Sequence, residues 1–379
     1  MKICFISQNV SPGILIFRKD LIRYLIKQGH EVYAFALDYT PETITSLETL
    51  GAVPVYYQLN KTGLNPLSDI RDTYRLYKTL KELSPDVVFS FFVKPSIYGS
   101  IAAGLAGVPR KIAMLEGLGY IHTLTQQGVT FKKRVLQRVH GLLCSVGYAF
   151  VNKVLFLNPN DPKDLSRVAF LNPSKLDVVG AIGLDLEAYP YSAPDLTKTI
   201  RFIFIARLLA EKGVFEFLSA ARFVKKYYPD TEFVVLGGLD FDNPSSLSKD
   251  ELDAVIEEGI VIYPGHVNNV NEWIADAHVF VLPSYREGLS RSAQEAMAIG
   301  RAVITTDAPG CRETVVGGVN GFVVPPWDAE ALAEKMRYFI EYPDEIKRMG
   351  DESHRMALER FDVHKINPVL ARIITGENE

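Results

Sequence analysis

The chain has 379 residues, 47% of them hydrophobic and 23% charged, with a formal net charge of −4. That length exceeds what one core serves and predicts two domains, while the composition excludes a disordered or fibrous chain. The mild acidic balance gives no support for a nucleic-acid partner, and the widely spaced Cys4, Cys144 and Cys311 offer neither a zinc pattern nor a disulfide framework, which fits a reducing cytosol.

Met1-Lys-Ile-Cys-Phe-Ile6 enters a strand directly, and its apolar run is too short for a signal peptide. Further short apolar runs predict strands at 31–37, 53–58, 86–92, 111–115, 153–157 and 176–180. The second half repeats the rhythm at 200–206, 231–237, 259–263, 278–283, 301–305 and 321–324, with helical patterns between. Such alternation implies right-handed βαβ units and parallel sheets covered on both faces, and two series imply two doubly wound domains. The stretch 183–199, interrupted by Pro190 and Pro194, is the expected linker between domains at 1–185 and 186–359. No apolar run reaches 18 residues; the nearest, 142–157, is broken by Asn152 and Lys153. Ligands of these sheets are expected at the C-terminal strand ends, and with two domains in the groove between them.

Candidate site residues follow the strand ends. After strand one, Gly13 in Ser11-Pro-Gly13 would let the loop lie against phosphates or sugar, ahead of a helix opening Phe17-Arg18, whose Arg18 is a further candidate for binding substrate. Helix 68–83 carries Arg71, Arg75, Lys78 and Lys81 at helical spacing. Phe131-Lys-Lys-Arg134 with Arg138 runs on into Val135, Leu136, Val139, Leu142 and Leu143. Both segments suit an anionic membrane surface, or else are solvated helices packed on their own sheet. Glu116 in Glu116-Gly-Leu-Gly119 stands at a strand end, where it would read a sugar hydroxyl or be an ordinary loop acid. The third glycine of a dinucleotide fingerprint is missing.

In the second half, Arg207 and Lys212 follow a strand and precede Gly213, a placement that suits a diphosphate held by a guanidinium fork and a point charge. Gly237 and Gly238 close the next strand and permit close backbone approach. Tyr263-Pro-Gly265-His266 offers an aromatic and exposed backbone for a nucleobase, His266 itself reading as structural rather than catalytic. Asp240-Phe-Asp242 has a metal-binding spacing, but cations already serve the phosphates, so no metal is expected. Glu287-Gly-Leu-Ser-Arg-Ser-Ala-Gln-Glu295 places one acid in a loop and another in the following helix. Between them lie Gly288, Leu289 and Ser290, whose N–H groups would face an anion at the helix start. The bland reading makes Glu287 a solvated acid and Ser292-Ala-Gln-Glu295 a capping box.

Assembled, Ala-Arg207-x4-Lys212-Gly213, Gly237-Gly238, Gly265-His266, Pro283-Ser284-x2-Glu287-Gly288, Glu295-Ala-Met-Ala-x-Gly300 and Gly321-Phe-Val-Val-Pro325 resemble the family 4 retaining glycosyltransferases. The resemblance implies a GT-B α/β fold: two Rossmann-like domains facing across a deep cleft, acceptor side first and nucleotide-sugar side second, with a C-terminal helix at about 360–379 crossing back. It implies that Arg207 and Lys212 hold the donor diphosphate, Glu295 the ribose hydroxyls and Glu287 the donor sugar, with Gly13 approaching from the other domain. It further implies metal-free transfer with retention of configuration, and no cofactor beyond a UDP-sugar donor. Where many relatives have His-Gly, this chain has Glu116-Gly117. That variant is similar to bacterial enzymes that extend polyprenyl-diphosphate-linked oligosaccharides, the N-acetylgalactosaminyltransferases of protein N-glycosylation and the capsule and O-antigen transferases among them. Such an acceptor implies a cytoplasmic enzyme peripheral at the inner face of the plasma membrane. The alternatives are an isomerase like UDP-N-acetylglucosamine 2-epimerase and a non-catalytic binding protein on the same fold.

Overall fold

Strand β1 (Lys2–Ile6) is almost wholly buried and pairs in parallel with β2 (Glu31–Ala36) on one side and β4 (Val87–Phe91) on the other. The computed structural model describes residues 1–60, 66–126, 128–241, 243 and 245–377. With β3 (Val53–Tyr56), β5 (Arg110–Leu115), β6 (Lys153–Phe156) and β7 (Leu176–Val178) the sheet runs in the order β3-β2-β1-β4-β5-β6-β7. All its pairings are parallel, so helices must cover both faces, and the strands read as continuous apolar runs. Phe5, Phe89 and Phe91 fill its centre, Phe5 meeting Phe89 edge-on at 5.4 Å.

The first six α-helices, all in this first unit, are α1 (Lys19–Lys27), α2 (Pro41–Leu50), α3 (Pro66–Leu83), α4 (Val93–Leu105), α5 (Phe131–Ala149) and α6 (Asn160–Ser166). Local chemistry sets their ends. Thr40 and Thr43 form a reciprocal cap on α2, and Gly51 closes it at φ +91°, a left-handed conformation that costs glycine little. Helix α5 approaches its neighbours through glycine: a Cβ on Gly141 would lie 2.0 Å from the Val168 carbonyl oxygen, and one on Gly147 would lie 3.0 Å from that of Ile97.

The second unit has its own parallel sheet, ordered β10-β9-β8-β11-β12-β13. Its strands are β8 (Arg201–Ile205), β9 (Glu232–Leu236), β10 (Ile262–Gly265), β11 (Val279–Leu282), β12 (Ala302–Thr306) and β13 (Gly321–Val324). Helices α7 (Val214–Lys225), α8 (Lys249–Glu257), α9 (Val270–Ala275), α10 (Arg291–Ile299), α11 (Ala329–Glu341) and α12 (Asp344–Arg360) accompany it. The strand expected at 259–263 begins three residues later. Gly259, at φ +66°, and Ile260 donate to the carbonyls of Ile256 and Val255, so the α8 cap consumes those residues.

The units comprise Met1–His122 with Val129–Gly183 and the segment from Val363, and Thr123–Gly128 with Leu184–Asp362. The last helix, α13 (Val363–Thr375), thus belongs to the first unit, where it packs on α1. Arg110 caps its C-terminus, donating from Nε and Nη2 to the Ile373 carbonyl at 3.1 and 2.7 Å, a cation on otherwise unmatched carbonyls.

Candidate functional site

Strand order reverses between β8 and β11 in the second unit, the position beyond whose C-terminal strand ends open α/β sheets bind ligands. The loop after β8 brings Lys212, the loop after β11 brings Glu287, and the two join across the reversal point, Nζ to Oε1, at 2.6 Å. Both are largely sheltered, 21% and 14% exposed, so Glu287 is not a solvated loop acid. Glycines permit this approach. Gly213 sits at φ +75° with its Cα against the Pro283 carbonyl, where a Cβ would lie 2.1 Å from the oxygen. Gly310 likewise packs on the Glu287 carbonyl, again leaving 2.1 Å for a Cβ. Buried Ser284 adds a tie, donating to the Glu211 carbonyl at 2.9 Å.

Arg207 is the outermost cation, 62% exposed and bonded through Nη1 to Asp240 Oδ2 at 2.9 Å. Asp240 is thereby drawn into an ion pair, whereas Asp242 lies outside the described residues. The loop carrying Arg207 is stitched to the loop after β9 by Leu208 N–H to the Gly238 carbonyl and Ala210 N–H to that of Ser245.

Helix α10 begins over the end of β8, Ser292 donating its hydroxyl to the Ile205 carbonyl at 3.0 Å. Its cap is Ser290, whose Oγ accepts from Ala293 N–H at 3.2 Å, so the capping box expected from Ser292 and Glu295 is not formed. Glu295 accepts instead from the Tyr189 hydroxyl at 2.9 Å and from Arg291 Nε at 3.0 Å. Burial, and next the charge of Glu295, push the Tyr189 phenol up to about 12. The backbone between the acids is only partly turned to a ligand. Ser290 gives its N–H to the Gly310 carbonyl at 3.3 Å, Gly288 is buried, and the Leu289 side chain is in the core.

Other expected positions find structural uses. Gly237, at φ +141°, faces the Ala206 carbonyl, where a Cβ would lie 1.9 Å from the oxygen; its freedom serves strand packing rather than a ligand. The Gly237 carbonyl accepts from the Tyr263 hydroxyl at 2.8 Å, and its N–H donates to the Gly265 carbonyl at 3.2 Å. Gly265 itself is at φ +82° with open space beside it, and His266 is exposed.

In the first unit, Arg18 has no exposed surface. Its guanidinium pairs with Glu116, donates to the Phe17 carbonyl at 2.9 Å and lies 4.7 Å from the Phe91 ring centre. A buried side chain cannot touch substrate, so its expected binding role becomes one of positioning Glu116, itself only 10% exposed. Gly13 is also corrected. Its N–H donates to Asn9 Oδ1 at 2.9 Å, and a Cβ there would meet Ser7 Oγ at 2.4 Å and Phe92 at 2.9 Å, so its absent side chain makes room for protein rather than for ligand.

Comparison with known proteins assigns the family. The profile described as glycosyl transferases group 1 matches residues 192–356, and that described as glycosyl transferase 4-like matches 2–158. An N,N'-diacetylbacillosaminyl-diphospho-undecaprenol alpha-1,3-N-acetylgalactosaminyltransferase of Campylobacter jejuni is 30% identical over 353 residues, covering 90% of each chain. The chain is a group 1 glycosyltransferase. A UDP-Gal:alpha-D-GlcNAc-diphosphoundecaprenol alpha-1,3-galactosyltransferase of Escherichia coli is 25% identical, over 71% of this glycosyltransferase and 70% of its own length. The solved structure of Anabaena HepE in complex with UDP superposes with a TM-score of 0.78 at 20% identity, covering 99% of this chain and 100% of that one. The glycosyltransferase therefore has the GT-B α/β fold, and the isomerase and non-catalytic readings are set aside.

The sequence missed Tyr189 and Arg291. Arg291 stands one helical turn before Glu295 and was legible as an i,i+4 pair. Tyr189 is 106 residues away, and nothing local marks it.

Proposed function

We propose that this glycosyltransferase moves a hexose or N-acetylhexosamine from a UDP-sugar to a polyprenyl-diphosphate-linked saccharide, with retention of configuration and without a metal. The observation that carries the reading is the Lys212–Glu287 bridge across the β8/β11 reversal point, with Arg207 and Glu295 on the same strand ends. Lys212 and Arg207 would take the diphosphate and stabilise charge as it departs, Glu287 would hold a sugar hydroxyl, and Glu295 would take the ribose. The acceptor hydroxyl would attack the anomeric carbon from the face the diphosphate leaves, so no enzyme nucleophile is required, and the departing phosphate would take the acceptor proton, so no separate base is required either. Relatives named for diphospho-undecaprenol acceptors, and a similar fold solved with UDP, support the choice of substrates.

A membrane-anchored acceptor calls for a surface that meets the bilayer. No described helix is long and apolar enough to cross one. Helix α5 is amphipathic in the inverted sense: Gly141, Cys144, Gly147 and Tyr148 face the core, while Phe131, Val135, Val139, Leu142 and Val146 are exposed one turn after another. Lys132, Arg134 and Arg138 are exposed beside them, and the sequence has no acid between Glu116 and Asp161. That face suits an anionic lipid surface at the cytoplasmic leaflet.

The test is thermal-shift screening against UDP-, GDP- and dTDP-sugars, then assay with polyprenyl-diphosphate acceptors in excess EDTA. Selective stabilisation by UDP-sugars and acceptor-dependent, chelator-resistant UDP release are expected. Release of UDP that ignores the acceptor, or activity lost to EDTA and restored by magnesium, overturns the reading.

A further inference from the structure

Glu295 is held in an unusual way for an acid that is to meet a ligand. Among the described residues, the two hydrogen bonds it accepts end on one oxygen, Oε1: the Tyr189 hydroxyl at 2.9 Å and Arg291 Nε at 3.0 Å. The site is sheltered, Arg291 being 19% and Glu295 12% exposed. The donors come from different directions. Arg291 lies on the same helix one turn earlier, whereas Tyr189 comes from the segment before β8, where Asp185 caps a short turn (Leu186–Ala188) and Pro190 follows. Two donors fixed on different backbones and converging on one oxygen set the carboxylate torsion, which a single bond would leave soft.

We propose that Tyr189 and Arg291 are positioning residues that present the other oxygen of Glu295, Oε2, to a ribose hydroxyl, making discrimination between ribo- and deoxyribonucleoside diphosphates depend on the segment that precedes the second sheet. The inference rests on the ribose role of Glu295 proposed above. Charge-assisted bonds of this kind are the stronger sort, and a hydroxyl lost from the ligand leaves a sheltered carboxylate oxygen unmatched, so the discrimination is steep. The phenol stays protonated through any working pH, so Tyr189 donates throughout.

The experiment is a ligand–mutant cycle on the full chain: UDP, 2′-deoxy-UDP and 3′-deoxy-UDP titrated calorimetrically into the parent, Tyr189→Phe and Glu295→Gln. The ratio of deoxy to ribo dissociation constants is read within each variant, which cancels general effects on stability. For the parent one deoxy analogue should bind about tenfold more weakly than UDP, roughly the loss of one hydrogen bond to a charged group. Both variants should bring that ratio close to one. Steady-state kinetics of Tyr189→Phe should show a raised donor KM with kcat nearly kept. If Glu295→Gln collapses the ratio while Tyr189→Phe leaves it at the parent value, the positioning role is overturned and the ribose role survives. If neither variant moves the ratio, or UDP does not bind the parent, the ribose role of Glu295 fails and the inference fails with it.

Discussion

Glu287 carries the sugar-binding role in the proposed transfer chemistry, and substitution tests it directly. Its carboxylate sits at the strand reversal with one oxygen on Lys212, so substitution removes the partner of a sheltered cation and, on the proposed reading, a sugar contact as well. Glu287→Gln keeps the shape and should lower kcat by about a hundredfold or more while UDP still binds; turnover within a few-fold of the parent contradicts the assignment. A second residue gives the protein a pH signature. His140 is buried, its ring 3.0 Å from His122 and its Nε2 3.4 Å from Cys144 Sγ, and burial drives its pKa down to about 4. Unfolding restores an ordinary value near 6.5. As pH falls below that value the unfolded chain takes up a proton that the native ring refuses, so stability is full above pH 6.5 and declines until the folded ring titrates. The loss between pH 7.5 and 5 should be about 2 kcal/mol from this group. Denaturant midpoints of His140→Leu should vary less with pH than those of the parent, and equal slopes for the two count against this.

At the scale of elements, the site depends on loops brought closer than side chains would permit. Gly213 ends the loop that carries Lys212 and starts α7 at positive φ, against the Pro283 carbonyl. Gly213→Ala should therefore cost roughly 3 kcal/mol or more, combining left-handed strain with a contact far below van der Waals distance. It should also pull Lys212 away from Glu287. Comparison with Gly259→Ala checks this, because Gly259 has a similar φ of +66° and open space around it. Equal falls in melting temperature for the two would show that conformation alone, and not the close approach, is at stake. The sequence placed Gly213 directly after Lys212 but gave no sign of this contact, since Pro283 is 70 positions further along.

For the whole molecule, α5 exposes a row of apolar side chains, and contiguous exposed apolar patches mark interaction surfaces. Purified protein should co-sediment with vesicles containing anionic phospholipid, more weakly as salt rises, and less with neutral vesicles. Leu142→Glu with Val135→Glu should abolish sedimentation while leaving the melting temperature nearly unchanged, because both side chains already face out. Retained binding by that variant would place the lipid contact elsewhere, with α3 the next candidate through exposed Leu67, Ile70 and Tyr74.

Strand positions were legible because a parallel strand buried on both faces must be apolar along its length, and a sequence displays that directly, as in Val279–Leu282 or Ala302–Thr306. The family was legible too, since Arg207, Lys212, Glu287 and Glu295 keep a spacing set by single strand–loop–helix units. What each side chain touches was not, because partners are supplied by distant segments. Arg18 looked like a ligand contact until the fold buried it beneath Glu116, 98 residues away, and Gly13 looked open until Ser7, Asn9 and Phe92 closed around it. Local sequence determines which backbone forms and where the charged groups leave it. Only tertiary packing decides whether such a group meets another part of the chain or is left for a ligand, because that depends on contacts between segments whose separation in sequence carries no period.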